Sequence, residues 1–190
     1  MKVFFQATFK ENDEYINLYQ KIYEELAHEG YQHVDNDVVA TGQKELYQSL
    51  NKGDVKTNIA LYERKTHAIQ NADICIFEAT TAGLGLGFLI EKALGLSKPT
   101  IVLYLHNVPP VLLTGVQSEK LILKSYDEKN LKRVLKEALS SARERRDKRF
   151  NFFLSPKLLD YLEETSKKED VTKSKLIRDM IVEHMRKDSS

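Results

Sequence analysis

Short apolar runs alternate with amphipathic stretches along the first three quarters of the chain. Apolar runs rich in β-branched and aromatic residues are typical of buried strands, whereas apolar positions three and four apart predict helices. The predicted strands are residues 2–9, 31–39, 73–77, 100–105 and 120–125. The predicted helices are residues 15–29, one or two within 41–70, then 88–96 and 127–146. This alternation predicts an α/β fold with a doubly wound, five-stranded parallel sheet covered by helices on both faces.

The most informative segment is the third strand and the turn behind it. Four consecutive apolar residues, 74–77, predict a fully buried strand, and Gly83, Gly85 and Gly87 follow at alternate positions. A helical pattern then begins near Phe88, so the turn lies where α/β sheets bind ligands and where a helix start favours anions. The spacing matches neither the dinucleotide fingerprint nor the P-loop. Two interpretations remain: a ligand-binding turn, or glycines that only let the helix pack closely on the strand.

The composition limits the classes of protein to which this chain can belong. Hydrophobic residues make up 42% of the chain, which is enough for a core. Apolar runs stay shorter than the roughly 18 residues of a membrane-spanning helix, and the start does not resemble a signal peptide. Cys75 is the single cysteine, so neither a disulfide framework nor a cysteine metal site is predicted. We expect a cytoplasmic protein that does not contact membranes and uses no cofactor and no metal.

Residues 71–99 combine an Ala-Asp pair before the strand, Glu-x-Thr at its end, a Leu-Gly-x-Gly-aromatic turn and Lys-Pro before the next strand. This combination resembles the nucleoside 2-deoxyribosyltransferase family, above all its branch of 2'-deoxynucleoside 5'-monophosphate N-glycosidases. A weaker likeness extends over residues 1–140. The resemblance implies a flavodoxin-like domain, forming dimers, that cleaves the bond between a base and deoxyribose.

The resemblance is incomplete at the residues that carry catalysis. The family's catalytic glutamate follows the aromatic residue of the glycine turn, but here Leu89 follows Phe88. The branch's phosphate-binding serine is replaced by Gly83. Leucine offers neither charge nor nucleophile to an oxocarbenium-like anomeric carbon, and Glu91 lies about 200° further round the helix. Glu78, at the carboxyl end of the central strand, is the better candidate for a catalytic carboxylate; alternatively, it binds the ligand by a hydrogen bond or fixes the loop.

The expected ligand of this domain is a nucleoside or a nucleotide. Family members hold phosphate or sugar in the loop after the first strand, and the hydroxyl and ammonium groups of this loop suit an anionic ligand. The predicted ligand-binding residues are Thr8, Lys10, Asp73, Gly83, Gly85 and Gly87. The acidic residues Asp35 and Asp37, near the end of the second predicted strand, either line the site or form a solvated turn.

The last fifty residues follow a different pattern. Residues 148–155 predict a strand, and residues 156–168 and 172–187 predict two helices, with Ser155 and Thr172 as N-caps and Pro156 at a first helical position. A lone strand leaves its edges unpaired, so we expect it to pair with the same strand of a second chain. The pattern resembles the ribbon-helix-helix family of DNA-binding dimers, which implies a two-stranded ribbon in the major groove. The predicted domains are therefore residues 1–146 and 148–190.

Alternation along this ribbon predicts which side chains face DNA. Phe150, Phe152 and Leu154 fall on the core face. The outward residues are Arg149, Asn151 and Phe153, of which arginine suits guanine and asparagine suits adenine. The start of the second helix offers hydroxyls, N–H groups and positive charge to a phosphate through Thr172, Lys173 and Ser174.

The basic residues before the ribbon leave the role of the module open. Residues 143–149 hold five basic residues against two acidic ones, and this run is either a solvated helix face or a second phosphate contact. The module itself either binds DNA or only dimerises the chain.

Two functions are thus predicted. In the first, a DNA-binding regulator senses a nucleoside or nucleotide through a degenerate domain. In the second, an active deoxyribosyltransferase or N-glycosidase uses its tail for assembly.

Overall fold

A computed structural model describes residues 1–8, 15–37, 55–81, 83–147 and 152–188 of the chain. It divides into two compact units, Met1–Asp147 and Lys148–Ser190. Within the described ranges, no helix has both the length and the apolar composition needed to cross a bilayer.

The first unit is built on a five-stranded sheet. Its strands are β1 (Lys2–Ala7), β2 (Gln32–His33), β3 (Ile74–Glu78), β4 (Thr100–Leu105) and β5 (Leu121–Tyr126). All neighbours pair in parallel, in the order β2-β1-β3-β4-β5. This is the flavodoxin-like order, in which the direction of winding reverses between β1 and β3. The predicted doubly wound parallel sheet is confirmed.

Helices cover both faces of this sheet. They are α1 (Ile16–His28), α2 (Val55–Asn71), α3 (Leu84–Gly95), the short α4 (Val111–Thr114) and α5 (Leu131–Glu144). Along β3, Ile74 and Ile76 pack with α1 and α5, while Cys75 and Phe77 pack with α2 and α3. The apolar run of β3 is explained by this burial on two faces. Burial also raises the pKa of the Cys75 thiol to about 12, which identifies it as a core residue rather than a nucleophile.

Three elements differ from the predicted bounds by more than two residues, among them α5, which begins at Leu131 rather than at residue 127. The strand predicted over residues 31–39 pairs only at Gln32–His33, because Asp35 turns the chain by accepting a hydrogen bond from the Asp37 backbone N–H (2.8 Å). Residues 38 and 39 lie outside the described ranges. Helix α3 begins at Leu84 rather than near Phe88, so two of the three turn glycines belong to its first turn.

The basic run at the end of α5 is engaged with the first unit itself. Arg143 donates to the Tyr31 hydroxyl (2.6 Å) and Arg146 pairs with Asp73 (2.7 Å). Arg145 donates to two backbone carbonyls just before and at the start of β5. Three of the five basic residues thus fasten α5 to the amino end of the sheet, instead of forming the free phosphate-contacting surface considered above. The other two lie outside the described residues.

The second unit contains two helices, α6 (Pro156–Lys168) and α7 (Lys173–Asp188), close to their predicted bounds. Leu162 and Leu176 are its large buried apolar side chains among the described residues. Many apolar side chains of this unit are exposed, including Phe152, Phe153, Leu158, Leu159, Tyr161, Met180, Ile181 and Met185. Residues 152–155 show no strand pairing within the chain, and residues 148–151 of the predicted strand lie outside the described ranges.

Candidate functional site

The carboxyl ends of β1 and β3 form the crevice where the order of strands reverses. Ala7 pairs with Glu78 in the sheet register, so Thr8 and the loop after β3 leave the sheet side by side. A Cβ atom placed on Gly83 would lie 2.7 Å from the Thr8 hydroxyl oxygen. Glycine is therefore required here by the close approach of Thr8, since its φ of −157° suits any residue. The structure brings these two predicted ligand-binding residues into contact.

The first turn of α3 lies beside this contact and contains two glycines, which leave its backbone uncovered by side chains. A Cβ atom on Gly85 or Gly87 would meet no atom within 4 Å, so neither glycine is needed for close packing of the helix. The first N–H groups of a helix lack intrahelical acceptors and carry partial positive charge. The first turn of α3 is accordingly open to an anionic group.

Two other predicted ligand residues do not join this group. Lys10 lies outside the described residues. Asp73 lies at the amino end of β3, where its carboxylate accepts from the Lys2 backbone N–H (2.8 Å) and pairs with Arg146. The length of β3, about 17 Å for five residues, separates Asp73 from the crevice. Asp73 therefore holds the chain together at the opposite, amino end of the sheet and is not part of the crevice.

Glu78 is fully buried on the α1 and α5 face of the sheet. Its carboxylate accepts hydrogen bonds from the Tyr126 hydroxyl (3.1 Å), from the Thr80 hydroxyl and from the Thr80 backbone N–H (3.3 Å). The Thr80 oxygen in turn accepts from the Leu105 N–H (3.0 Å). Burial, and next the Glu78 charge, raise the pKa of Tyr126, so its phenol stays protonated and donates. Glu78 thus ties together the ends of β3, β4 and β5 and fixes the loop, one of the alternatives considered for it.

Removing the Tyr126 hydroxyl tests this arrangement. We expect Tyr126→Phe to lower the free energy of unfolding by about 1–3 kcal/mol, because a buried carboxylate loses a donor. The raised pKa of Tyr126 in the folded state also means that stability falls as pH rises above the unfolded value of 10.0, and the variant removes that contribution. Urea titrations at neutral and alkaline pH measure both effects. Tyr62→Phe, at a half-exposed ring, is the control, and equal stabilities of the two variants would contradict the role of Tyr126.

The helix position that the family gives to its glutamate supplies no carboxylate. Leu89 is partly buried and packs against the core between the sheet and α2 and α3. The preceding Phe88 is half-exposed, with its ring 6.0 Å from that of Tyr62. Glu91 lines a surface cavity together with these two rings. Glu91 therefore points away from the buried surroundings of Leu89, as its spacing on the helix predicts.

A buried ion-pair network, which the sequence did not reveal, lies between β1 and α2. The Lys65 ammonium contacts the Gln6 side-chain oxygen (2.7 Å), Asp35 (2.8 Å) and Asp37 (2.9 Å). Arg64 adds two 2.6 Å hydrogen bonds to Asp37. Burial by itself raises the pKa of Asp37, but the bonds from Arg64 and Lys65 outweigh it and hold that pKa below its usual range. Asp35 is buried in this network, whereas Asp37 is partly exposed, and both line a surface cavity together with Arg64.

A cavity of about 570 Å³, here called the α1/β5 cavity, lies between the start of α1 and the chain that follows β4 and β5. Leu18 and Leu105 are buried, and the other lining residues reach solvent. Its lining residues are Tyr15, Asn17, Leu18, Lys21, Leu105, His106, Asp127 and Glu128. None of these lining residues was predicted from the sequence as a ligand contact. The polar residues directly after two predicted strands do, however, indicate a candidate site at that edge of the sheet.

The DNA-contact candidates fall partly within the described residues. The Thr172 hydroxyl accepts from the Lys175 backbone N–H (3.2 Å), which is the predicted N-cap of α7. Lys173 pairs with Glu163 across the two helices (3.3 Å), whereas Ser174 and Phe153 are exposed. Arg149 and Asn151 lie outside the described residues.

Comparison with known proteins gives a likeness of fold. The sequence matches no family model. It also matches no curated protein. Among solved structures, the chain is similar to the CMP N-glycosidase BcmB of Clostridium botulinum, with a TM-score of 0.47 and 14% identity, over 74% of this chain and 99% of that chain. This similarity concerns the arrangement of sheet and helices alone.

Proposed function

We propose that the first unit binds a nucleoside or nucleotide without cleaving it, and that the second unit binds DNA as a dimer. The chain would then be a ligand-responsive DNA-binding regulator. The observation that supports the proposal is the burial of Glu78, whose carboxylate accepts hydrogen bonds from groups within the protein.

Three features of the crevice support ligand binding. It lies where winding reverses between β1 and β3, the usual ligand position in such sheets. The Thr8 hydroxyl lies against Gly83, and the first turn of α3 offers unshielded N–H groups beside it. A hydroxyl and a helix start together suit a phosphate or another anionic group.

Cleavage of a glycosidic bond needs a carboxylate close to the anomeric carbon. The family position holds Leu89, which packs against the core, and the substitute Glu78 has no exposed surface. The two positions that the sequence favours for the carboxylate thus offer none to the crevice. Binding without turnover is the function that fits these residues.

The apolar surface of the second unit supports dimerisation. A unit of this size buries too little apolar surface to be stable alone without help. Within its described part, the exposed side chains include Phe152, Phe153, Ile181 and Met185. A second copy, pairing ribbon with ribbon, would cover these side chains and complete the two-stranded ribbon predicted from the sequence. In such a ribbon, Arg149 and Asn151 face outward by alternation.

The ligand half of the proposal is tested by thermal shift and chromatography. Adenosine, guanosine, cytidine and thymidine, each with and without a 5'-phosphate, are the probes. We expect at least one to raise the melting temperature, because it binds only the folded state, and we expect no free base after long incubation. Base release that Glu78→Gln abolishes would instead establish the enzyme.

The DNA half is tested by selection from a random-sequence duplex library. We expect an enriched sequence, bound by the parent chain and no longer distinguished from random DNA by the Arg149→Ala, Asn151→Ala double variant. Size-exclusion chromatography with light scattering checks that the variant stays dimeric. Lys136→Ala, at an exposed position of α5 in the first unit, is the control. Equal discrimination by double variant and parent would contradict base recognition by the ribbon.

A further inference from the structure

We infer that the α1/β5 cavity receives the uncharged heteroaromatic ring of the ligand, that is, a nucleobase. The inference rests on the proposed function of the first unit and adds to it the group that is recognised and the residues that recognise it. None of those residues was among the sequence-based ligand candidates.

The size and lining of the cavity suit a nucleobase. Its volume, about 570 Å³, is in the range of roughly 300–1,000 Å³ that is typical of small-molecule sites. Leu18 and Leu105 provide buried apolar surface, and the Tyr15 ring packs partly buried against the same core. A planar ring can cover these apolar groups while its edges remain at the polar rim. The lining thus combines buried apolar groups with exposed polar ones, as a ring with polar edges requires.

A tight turn after β4 holds His106 beside the cavity, with the Val108 backbone N–H donating to the Leu105 carbonyl (3.3 Å). His106 and Asn107 both have left-handed dihedrals, with φ of +58° and +55°. Two consecutive residues of this kind favour glycine, since side chains are disfavoured in that region. His106 is exposed and lines the cavity, so this turn presents an imidazole ring for stacking.

The charges around the cavity favour a neutral group over a phosphate. The Asp127 carboxylate accepts from the backbone N–H groups of Lys129 (2.8 Å) and Asn130 (2.9 Å), so it caps its own loop. Glu128 pairs with Lys21 (3.2 Å). Two carboxylates and one ammonium leave a local excess of negative charge, which repels a phosphate. The phosphate of a nucleotide would therefore lie toward Thr8 and the start of α3, and the base in the cavity.

Paired glycine substitutions separate recognition from backbone strain. Both His106→Gly and Asn107→Gly relieve a left-handed residue, so neither variant should melt below the parent, and His106→Gly should melt about 2 °C higher. Only His106 lines the cavity. We expect His106→Gly to weaken binding of the best of the eight nucleoside and nucleotide probes about tenfold, as loss of a stacking ring does. Asn107→Gly should bind as the parent does.

A second pair of variants fills the cavity from the exposed surface of α1. Asn17→Trp places a large ring in the cavity, whereas Gln20→Trp adds the same ring at an exposed position that does not line it. Isothermal titration calorimetry should show binding lost in Asn17→Trp and retained in Gln20→Trp. Circular dichroism verifies that both variants are folded.

The outcomes distinguish this inference from the proposed function. If the parent binds a probe and His106→Gly and Asn17→Trp bind it equally well, the base lies elsewhere in the crevice and this inference alone is overturned. If the parent binds none of the eight probes, the ligand half of the proposed function fails together with it.

Discussion

A Lys65→Met variant is expected to lose about 3–5 kcal/mol of its free energy of unfolding, because it removes one partner of a buried ion pair. Lys65 and Asp35 are both buried, and their 2.8 Å contact is reinforced by Gln6 on β1. Methionine keeps the length and apolar stem of the side chain but leaves the Asp35 carboxylate without its cation. A buried and uncompensated charge is among the most costly changes that a core can undergo.

Urea denaturation followed by circular dichroism measures this loss. Lys136→Met, at an exposed position of α5, should change stability by less than about 0.5 kcal/mol. Adding Asp35→Asn to Lys65→Met should restore part of the loss, since the double variant no longer buries a lone charge. A Lys65→Met protein as stable as the Lys136→Met control would show that the network contributes little.

The network also bears on the ligand site. Gln6 lies two residues before Thr8 and is held by Lys65, so the end of β1 is fixed from the α2 side of the sheet. Glu78 and Tyr126 fix the neighbouring strand ends from the α1 side. The crevice is consequently supported on both faces of the sheet. We expect Lys65→Met to weaken ligand binding in addition to lowering stability.

An Ile181→Glu variant is expected to raise the dissociation constant of the dimer at least about 100-fold, since a carboxylate would be buried in an apolar contact. Ile181 is 56% exposed in the single chain, beside Met180 (49%) and Met185 (62%) on α7. The proposed dimer contact would cover this exposed apolar surface. Dissociation would also remove DNA binding, because each half of the ribbon needs the other.

Sedimentation velocity over a range of concentrations measures the dissociation constant. Lys187→Gln changes the net charge by the same amount at an exposed position about 120° around α7 from Ile181, and it should dimerise as the parent does. A parent chain that stays monomeric, or an Ile181→Glu variant with unchanged affinity, would argue against dimerisation through the second unit.

The position of strands and helices was largely predictable. A strand buried on two faces is mostly apolar, so β3 and β4 were found within one residue of their ends. The second strand was the exception. Asp35 ends this strand by accepting a hydrogen bond from the Asp37 backbone N–H, and it also pairs with Lys65, thirty residues along the chain, a contact that no local pattern reports.

The site was predictable only in part. Thr8 and Gly83 lie together at the crevice, because parallel strands leave their sheet at one edge, while their role in binding stays a prediction. Asp73 was placed at the site by its neighbourhood in the sequence, although it precedes β3 and therefore lies at the opposite edge. The basic run near residue 145 suggested phosphate contacts, but Arg143 and Arg146 find partners more than seventy residues away.

The sequence alone determined the α/β class, the two-unit pattern and the absence of a glutamate after Phe88, because periodicity and residue identity are local properties. The tertiary structure decided which charged side chains can contact a ligand and which are held by partners within the protein. Glu78 meets Tyr126 across 48 residues, and Lys65 meets Gln6 across 59. Such pairs form only when the sheet brings distant strand ends together, and burial then favours hydrogen bonds within the protein over contacts with solvent. Whether a carboxylate acts in catalysis or only holds strand ends together depends on those neighbouring residues.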